Sequence, residues 1–434
     1  MSKSCSFVTF GCKINQYDTQ AIRETVLDLG YVEVADGAAA DLYIVNSCTV
    51  TEHAGDKGVA AVRRLRARSP TSKILVTGCL SPEDRAQLKT VPGVEHVVGN
   101  EDKDQIPALL MGAEFVPSKV RRSRRIFNLR ASRFEGRTRA FLKVHDGCDD
   151  FCSYCIIPMV RGKSQSRPIQ DVLAEARRFA AAGYQELVIT GIHLRRYGQD
   201  LGLERGLVEL LAALRAIPGI ERVRLSSIGI RAFTAEFLAL FASDPGLCPF
   251  FHIPLQSGAN TVLERMRREY TAEFFLGQLD RIRAALPRAV IATDLMVGFP
   301  GETESEFAES IAVCRSARFA FLHLFPYSRR SGTKAVQLSD HVTPEVKMAR
   351  MACGRTVEAE LFARDAERWM GTNVRVLVEH HVGRAEGLSR EGHRVELTVP
   401  SAGVAPNREL EVRIHGRRDR LLLGTCVGAD EAKL

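Results

Sequence analysis

The chain has 434 residues, eleven cysteines and a formal net charge of +8 at pH 7. At roughly 100–200 residues per domain, this length implies two to four domains, and the cysteine content lies far below the roughly 8–10% of disulfide scaffolds. No apolar run approaches the roughly 18 residues that cross a bilayer, and no basic segment leads into a long apolar one near the start. We therefore expect a cytoplasmic protein without membrane segments, whose cysteines are reduced or bind metal.

Short apolar runs alternate with helical patterns over the first hundred residues. The runs are CSFVTF, DLYIVN, KILVTG and EHVVG, with one helix expected over residues 17–29 and another capped at Thr51. Strands and helices in alternation are typical of a parallel α/β sheet. We assign residues 1–115 to an N-terminal α/β domain.

A strongly basic stretch follows, over residues 119–139. It carries the whole charge surplus of the chain in nine basic residues against Glu135: Lys119, Arg121, Arg122, Arg124, Arg125, Arg130, Arg133, Arg137 and Arg139. From charge alone, a solvated linker is the simpler interpretation and a segment that binds polyanions is the alternative. We assign residues 116–138 to this basic linker.

A second α/β series occupies residues 139–369. Six strand candidates lie at 140–145, 186–190, 222–227, 250–255, 290–297 and 319–325, with helical patterns at 169–182, 271–286 and 302–317 between them. This rhythm predicts an open (β/α)6 barrel. A helix over 346–369 leads to residues 370–434, where VRVLVE, RVELTV and LEVRIHG indicate a small all-β domain.

Three cysteines stand close together just after the first predicted barrel strand. They are Cys148, Cys152 and Cys155 in HDGCDDFCSYC. Three thiolates at this spacing can hold three irons of a 4Fe-4S cluster and leave the fourth iron open to a ligand. A zinc site short of one ligand, or three ordinary core cysteines, are the alternatives.

A second set of cysteines is dispersed along the chain but follows one rule. Cys12, Cys48 and Cys79 each come just after a predicted strand of the N-terminal sheet. Because the carboxyl ends of parallel strands meet at one edge, the three thiols can form a second cluster site. Taken singly, each is an ordinary buried residue. We interpret Cys5, Cys248, Cys314, Cys353 and Cys426 as packing residues.

Both cysteine triples are accompanied by six motifs, in the order TFGCKINQYD, NSCTVT, TGIHLRRYG, HIPLQSG, VGFPGET and FPYSRRSGT. With these triples and motifs in family order, the chain resembles the radical S-adenosylmethionine (SAM) methylthiotransferases over almost its whole length. TGIHL, SSI and FPYS are similar to the branch that acts on threonylcarbamoyladenosine in tRNA. Other branches act on isopentenyladenosine in tRNA or on a ribosomal-protein aspartate, and these remain alternative functions. A zinc-stabilised RNA-binding protein is the alternative outside enzymes.

The resemblance implies two 4Fe-4S clusters and SAM as cofactors. Cys148, Cys152 and Cys155 would hold the cluster that cleaves SAM to a 5′-deoxyadenosyl radical, and Cys12, Cys48 and Cys79 would hold an auxiliary cluster. It implies methylthio transfer to carbon 2 of the adenine next to the anticodon, with a tRNA anticodon loop and a low-potential electron donor as partners. The tail would be the RNA-binding TRAM barrel. We expect a monomer.

Further residues are candidates for cofactor or RNA contact. Those for SAM are Tyr154, Gly191, His193, Gln256, Ser257 and Gly298, of which Tyr154 would lie against the adenine. Those for RNA are Arg121, Arg122, Arg124, Arg125, Arg195 and Arg196, with the last two as candidates for the threonyl carboxylate. Packing, capping, turn formation and solvation are the simpler interpretations of these residues.

The chain departs from the family pattern at five positions. These are Gln165, Gly229, Ser331, Lys334 and His393. At His393 the family often has an aromatic residue, which makes base stacking there doubtful. The departures bear on the substrate more than on the chemistry.

Overall fold

The computed structural model describes residues 3–35, 37–118, 124–379, 385–398 and 405–427. Its first unit is a five-stranded sheet with all strands parallel, in the order β2-β1-β3-β4-β5. The strands are β1 (Ser4–Thr9), β2 (Val32–Glu33), β3 (Leu42–Ser47), β4 (Lys73–Gly78) and β5 (Val94–Val97). The helices are α1 (Lys13–Asp28), α2 (Glu52–Arg68), α3 (Pro82–Lys89) and α4 (Ile106–Leu110). The parallel α/β prediction is confirmed.

Local sequence explains where two of these helices begin. The Thr51 side chain accepts a hydrogen bond from the Ala54 amide at 3.2 Å and so caps α2, as the sequence predicts. Helix α1 begins at Lys13, four residues before the predicted start, with Cys12 at the capping position. The early start places Cys12 directly at the sheet edge.

The second unit is a barrel of six parallel strands with a short antiparallel strand at its edge. Its strands are β6 (Arg139–Asp146), β7 (Gln165–Ser166, the antiparallel one), β8 (Glu186–Gly191), β9 (Arg222–Leu225), β10 (Phe250–His252), β11 (Val290–Val297) and β12 (Phe321–Pro326). Between β9 and β10 the regular ladder breaks, and the Ile228 amide donates to the His252 carbonyl at 2.9 Å. The open six-stranded barrel is confirmed.

Helices follow and connect the strands of the barrel. They are α5 (Ile157–Arg161), α6 (Ile169–Ala181), α7 (Gly206–Arg215), α8 (Ala235–Ser243), α9 (Asn260–Arg265), α10 (Ala272–Ala285), α11 (Glu304–Ser316) and α12 (Pro344–Glu367). Strand β10 ends three residues before the predicted 255. The Leu255 amide there donates to the Thr293 side chain at 3.0 Å, which takes it out of the ladder.

The third unit is a small closed barrel that packs against the base of the large barrel. Its strands are β13 (Asn373–Glu379), β14 (Glu386–Ser389), β15 (Arg394–Leu397), β16 (Glu409–Arg418) and β17 (Leu421–Cys426), in the order β13-β14-β15-β17-β16. One apolar cluster joins Val290 and Ala320 of the large barrel to Trp369, Val374 and Val412. The all-β tail is confirmed.

Part of the basic linker is buried, although the simpler interpretation of its sequence is a solvated segment. Ile126, Phe127, Ala131 and Phe134 are buried, and the Ala131 amide donates to Glu175 Oε1 at 2.9 Å. The solvated interpretation is therefore wrong for these four apolar residues, whereas Arg130 and Arg133 between them are exposed. Apolar residues within the basic run pack the segment onto α6, while the domain limits at 115, 138 and 369 stay predictions.

Two smaller points complete the fold. Cys5, Cys248 and Cys314 are buried as expected, whereas Cys353 is exposed on α12, so its interpretation as a packing residue is wrong. In the described part of the chain, no helix combines the length and apolar character of a membrane span.

Candidate metal and cofactor site

The dispersed cysteines lie at one edge of the N-terminal sheet. Cys48 follows β3, Cys79 follows β4, and Cys12 follows β1 after a turn at Gly11. Gly11 has φ of +95°, and a Cβ on it would lie 2.7 Å from the Cys48 Cβ, so the turn requires glycine. Burial, followed by the neighbouring Cys79, raises the pKa of Cys48 to about 11. The Cys79 thiol is therefore close enough to Cys48 to affect its pKa. No described cysteine forms a disulfide.

The second triple lies in the loop after β6. Gly147 has φ of +73°, and a Cβ on it would lie 2.0 Å from the Lys163 carbonyl oxygen, so the loop also opens with a required glycine. The Cys148 amide donates to the Gly162 carbonyl at 3.1 Å, and the Cys155 amide donates to that of Cys152 at 3.0 Å. Burial raises the pKa of Cys148 to about 11 and that of Cys155 to about 12.

Both triples fit an iron–sulfur cluster. One triple lies in a single loop and the other at one sheet edge, and all six thiols are unpaired. Burial raises the pKa of Cys48, Cys79, Cys148 and Cys155, which disfavours these four thiolates unless a cation is present. Each set supplies three ligands, which suits a cluster with one open iron. The assignment of the six cysteines as ligands remains a prediction.

His193 and Gly191 lie beside the Cys148 loop. His193 Nδ1 is 3.9 Å from Cys148 Sγ, and its Nε2 is 3.4 Å from Asp150 Oδ2. Burial lowers the pKa of His193 to about 4, so the ring is neutral at pH 7. A Cβ on Gly191 would lie 2.6 Å from Leu194 Cδ2, so close packing alone explains this glycine.

Gln256 and Ser257 follow β10, and they differ in what they contact. Gln256 has φ of +71°, and its buried Oε1 has no hydrogen-bond partner among the described residues. Such an orphaned acceptor suits a ligand donor. Ser257 is fully buried and its hydroxyl lies 3.1 Å from that of Ser310, so its contacts give no support to cofactor binding.

Two other predicted SAM contacts have packing partners. Tyr154 packs against an apolar cluster that contains Met296 and Phe299. Gly298 has φ of +73°, its amide donates to Glu302 at 2.5 Å, and a Cβ on it would clash with Lys347. A turn therefore accounts for Gly298, and both assignments as cofactor contacts stay predictions.

The arginines predicted to contact RNA differ in their partners and in whether the structure describes them. Arg196 Nε and Nη2 both bond Asp150 Oδ1, at 3.0 and 2.6 Å, which corrects its interpretation as a solvated loop residue. Arg195 Nη2 is 3.8 Å from Glu269 Oε2. Arg121 and Arg122 lie outside the described residues, and Arg124 and Arg125 belong to the short 3-10 turn Arg124–Phe127.

The structure also shows a polar trio that the sequence analysis missed. His252 Nε2 and His323 Nδ1 lie 2.8 and 3.4 Å from Asp294 Oδ1, on β10, β12 and β11. The neighbouring Phe251, Leu295 and Leu322 pack outward into the helix-covered core, so alternation places the trio inside the barrel. One polar residue at the inner position of three successive strands is the signal that could have revealed it.

Comparison with known proteins identifies the family. Residues 142–314 match the Radical SAM superfamily, and residues 4–99 match uncharacterized protein family UPF0004. The threonylcarbamoyladenosine tRNA methylthiotransferases MtaB of Bacillus subtilis and Chlamydia pneumoniae are 39% and 36% identical to this chain. The matches cover 80% and 97% of this chain, and 78% and 97% of the relatives. The chain belongs to the radical SAM methylthiotransferase family.

Other relatives define the range of similarity. The tRNA-2-methylthio-N(6)-dimethylallyladenosine synthase of Acidothermus cellulolyticus is 35% identical to this methylthiotransferase, over 93% of this chain and 82% of the relative. The structure of the radical SAM methyltransferase TsrM of Kitasatospora setae superposes with a TM-score of 0.56 at 15% identity, over 77% of each chain. That likeness shows the fold alone.

Membership settles the class of protein. This methylthiotransferase is an enzyme that uses SAM and 4Fe-4S clusters. The alternative of a non-catalytic, zinc-stabilised protein is therefore wrong.

Proposed function

We propose that this enzyme transfers a methylthio group to carbon 2 of N6-threonylcarbamoyladenosine in the anticodon loop of cytoplasmic tRNA. The observation that carries the proposal is the identity of 39% and 36% to two threonylcarbamoyladenosine tRNA methylthiotransferases, over most of each chain. A dimethylallyladenosine synthase is 35% identical, so overall identity separates the two substrates by little. The chemistry of the barrel mouth supplies further support.

The mouth beside Cys152 is rich in arginine. A small cavity of about 40 Å³ there is lined by Arg195, Arg231, Arg267 and Arg268, with Asp150 and Glu269 as its acids. The backbone of Gly229 also lines it, and a Cβ on Gly229 would contact only Arg195 Cδ, at 3.9 Å. Guanidinium groups suit the carboxylate of a threonylcarbamoyl group, whereas a dimethylallyl group favours an apolar wall.

We assign one 4Fe-4S cluster to Cys148, Cys152 and Cys155 and an auxiliary cluster to Cys12, Cys48 and Cys79. When bound, the first supplies reductive cleavage of SAM with an electron from a low-potential donor, and the second supplies the sulfur position for methylthio transfer. The chain's own residues would position the reactants. The unpartnered Gln256 Oε1 would accept a hydrogen bond from SAM, and the inner trio centred on Asp294 would contact the base.

The substrate is tested with two anticodon stem-loops, one threonylcarbamoylated and one dimethylallylated, offered to the reconstituted enzyme. We expect methylthio-adenosine, measured by mass, from the threonylcarbamoylated RNA. Arg195→Gln should raise KM for it about 10-fold or more with little change in SAM cleavage, because it removes one carboxylate partner. Arg281→Gln is the control, since this exposed arginine lies on α10, outside the residues that line the mouth. Preference for the dimethylallylated RNA would contradict the substrate.

The two cluster sites are tested by iron analysis. Replacing Cys148, Cys152 and Cys155 with Ala should leave about half of the iron and sulfide and abolish SAM cleavage, because one of two equal clusters is lost. Replacing Cys12, Cys48 and Cys79 should remove the other half and spare uncoupled cleavage. Full iron content in either triple variant would show that the assignment is wrong.

A further inference from the structure

Five charged side chains are buried together where the N-terminal sheet meets β6. They are Asp18, Lys103, Lys143, Asp146 and Arg161, each at most 5% exposed. Lys103 and Lys143 bond the two oxygens of Asp18 at 2.5 and 2.9 Å, and Lys143 lies 2.7 Å from Asp146. Burying this many charges is costly unless each one is compensated.

Arg161 is the member of this group that reaches a cysteine. Its Nε donates to Cys79 Sγ at 3.0 Å, its Nη1 bonds both oxygens of Asp146 at 2.9 and 2.8 Å, and its Nη2 donates to Asn15 Oδ1 at 2.7 Å. Every guanidinium nitrogen therefore has a partner. The orientation of the group is fixed by Asp146 and Asn15, so the bond to Cys79 is pre-formed.

The charges in the group do not balance without the sulfur. Lys103, Lys143 and Arg161 supply three positive charges, and Asp18 and Asp146 supply two negative ones. The group as a whole has one surplus positive charge, and Arg161 is its member that contacts Cys79. A metal-bound thiolate at Cys79 supplies the missing negative charge, whereas a neutral thiol leaves a buried cation uncompensated.

The same segment also bonds the other cysteine triple. The carbonyl of Gly162, the residue after Arg161, accepts from the Cys148 amide at 3.1 Å, and Asp146 Oδ1 accepts from the Gly147 amide at 2.8 Å. Arg161 therefore connects a ligand position of one triple to the backbone that carries the other. The Arg161 side chain contacts Cys79 of the first triple, and the neighbouring Gly162 and Asp146 accept hydrogen bonds from the loop that carries the second.

We infer that Arg161 is a positioning residue for the auxiliary cluster, which stabilises the Cys79 ligand, raises the reduction potential of that cluster and fixes it relative to the Cys148 loop. A positive donor beside a cluster sulfur favours the more negative, reduced state, which is why loss of the donor lowers the potential. The inference rests on the proposed auxiliary cluster at Cys12, Cys48 and Cys79.

The experiment isolates the auxiliary cluster in a Cys148→Ala/Cys152→Ala/Cys155→Ala background. Arg161→Met and Arg161→Lys are added to it, and the midpoint potential is measured by redox titration with EPR detection. Iron transfer to a chelator is followed in parallel. We expect Arg161→Met to lower the potential and to speed iron loss about 10-fold or more, and Arg161→Lys to restore part of the potential because it keeps the charge.

Arg167→Met is the matched control. Arg167 is as buried as Arg161 and forms its ion pair with Glu175, and its hydrogen bonds in the described structure involve none of the six cysteines. It should lower thermal stability and leave the potential unchanged. A wild-type potential in Arg161→Met with full cluster content would overturn the inference. A background protein without iron would instead overturn the proposed auxiliary site itself, and the inference with it.

Discussion

Glu186 carries the charge balance at the base of the large barrel. It is fully buried on β8, and its oxygens lie 2.7 Å from Arg222 Nε and 2.8 Å from Arg224 Nε. Although burial alone would raise the pKa of Glu186, these two arginines lower it to about 2. The carboxylate therefore stays ionised, and its removal would leave two buried cations.

Glu186→Gln should destabilise the fold by about 3–5 kcal/mol at pH 7, because it breaks a buried ion pair from one side. Since the folded pKa lies below the ordinary value of 4.5, the unfolded chain binds more protons between about pH 4.5 and pH 2. The contribution of Glu186 is thus full above pH 4.5 and is lost as the pH falls towards 2, by at most about 3 kcal/mol. Chemical unfolding of both proteins across this range is the measurement, and parallel pH profiles would contradict the expectation.

His393 shows what a single position in a sequence cannot reveal. The sequence places it where relatives carry an aromatic residue, yet it is buried, with Nε2 2.7 Å from Asp365 Oδ2 and its ring 5.3 Å from that of Trp369. It joins the small barrel to α12 and presents no face for a base. The partners lie 28 and 24 positions away in the chain, so only the tertiary structure identifies the role.

At the scale of elements, three arginines of the basic stretch have acidic partners. Arg130, Arg133 and Arg139 form ion pairs with Asp171, Glu135 and Glu379 at 3.1, 3.0 and 2.7 Å. These three arginines are therefore poor candidates for phosphate contacts. The prediction of RNA contact is best tested with the four arginines that precede them.

Changing Arg121, Arg122, Arg124 and Arg125 to Gln should weaken tRNA binding and flatten its dependence on salt. Each contact to single-stranded RNA contributes about 0.7 to the slope of log affinity against log salt, so four contacts contribute nearly three. Filter binding of tRNA at several salt concentrations measures the slope. Arg130→Gln/Arg133→Gln is the matched control and should leave it nearly unchanged, whereas an unchanged slope in the fourfold variant would exclude these arginines as RNA contacts.

Regular elements were predictable because periodicity and caps are local. The six barrel strands, the cap at Thr51 and the positions of Cys48 and Cys79 after strand ends all follow from the sequence. The two-residue strands β2 and β7 are too short to produce a pattern. The inner trio leaves one signal, a polar residue at the inner position of three successive strands. The Arg161 group combines residues from distant segments, so no spacing rule indicates it.

At the scale of the whole molecule, the two barrels share polar and apolar contacts across one continuous interface. Arg222 Nη2 donates to the Leu388 carbonyl at 2.9 Å, and Arg224 Nη2 donates to that of Ser389 at 2.8 Å. The apolar cluster that includes Val290 and Trp369 continues across the same boundary. Removing the small barrel would therefore expose Arg222, Arg224 and the apolar cluster at the base of the large barrel.

Ending the chain after residue 369 should therefore destabilise the large barrel. We expect a Tm lower by several degrees and faster amide exchange at the base of β9 to β11, because carbonyl partners and apolar cover are both lost. Calorimetry and hydrogen exchange measure these effects. A truncated protein with the Tm of the full chain would show that the small barrel is energetically independent.

The unbalanced charge beside Cys79 has a consequence for how the protein matures. Before a cluster is inserted, the fold must bury Arg161 opposite a neutral thiol, so the unloaded chain carries a free-energy penalty that the loaded chain does not. Iron insertion then contributes directly to folding, as ligand binding to the native state always does. We therefore expect the contact between the N-terminal sheet and β6 to gain order when the cluster is inserted. When oxygen removes the iron, we expect local unfolding to begin at this contact, and limited proteolysis should cleave the chain there.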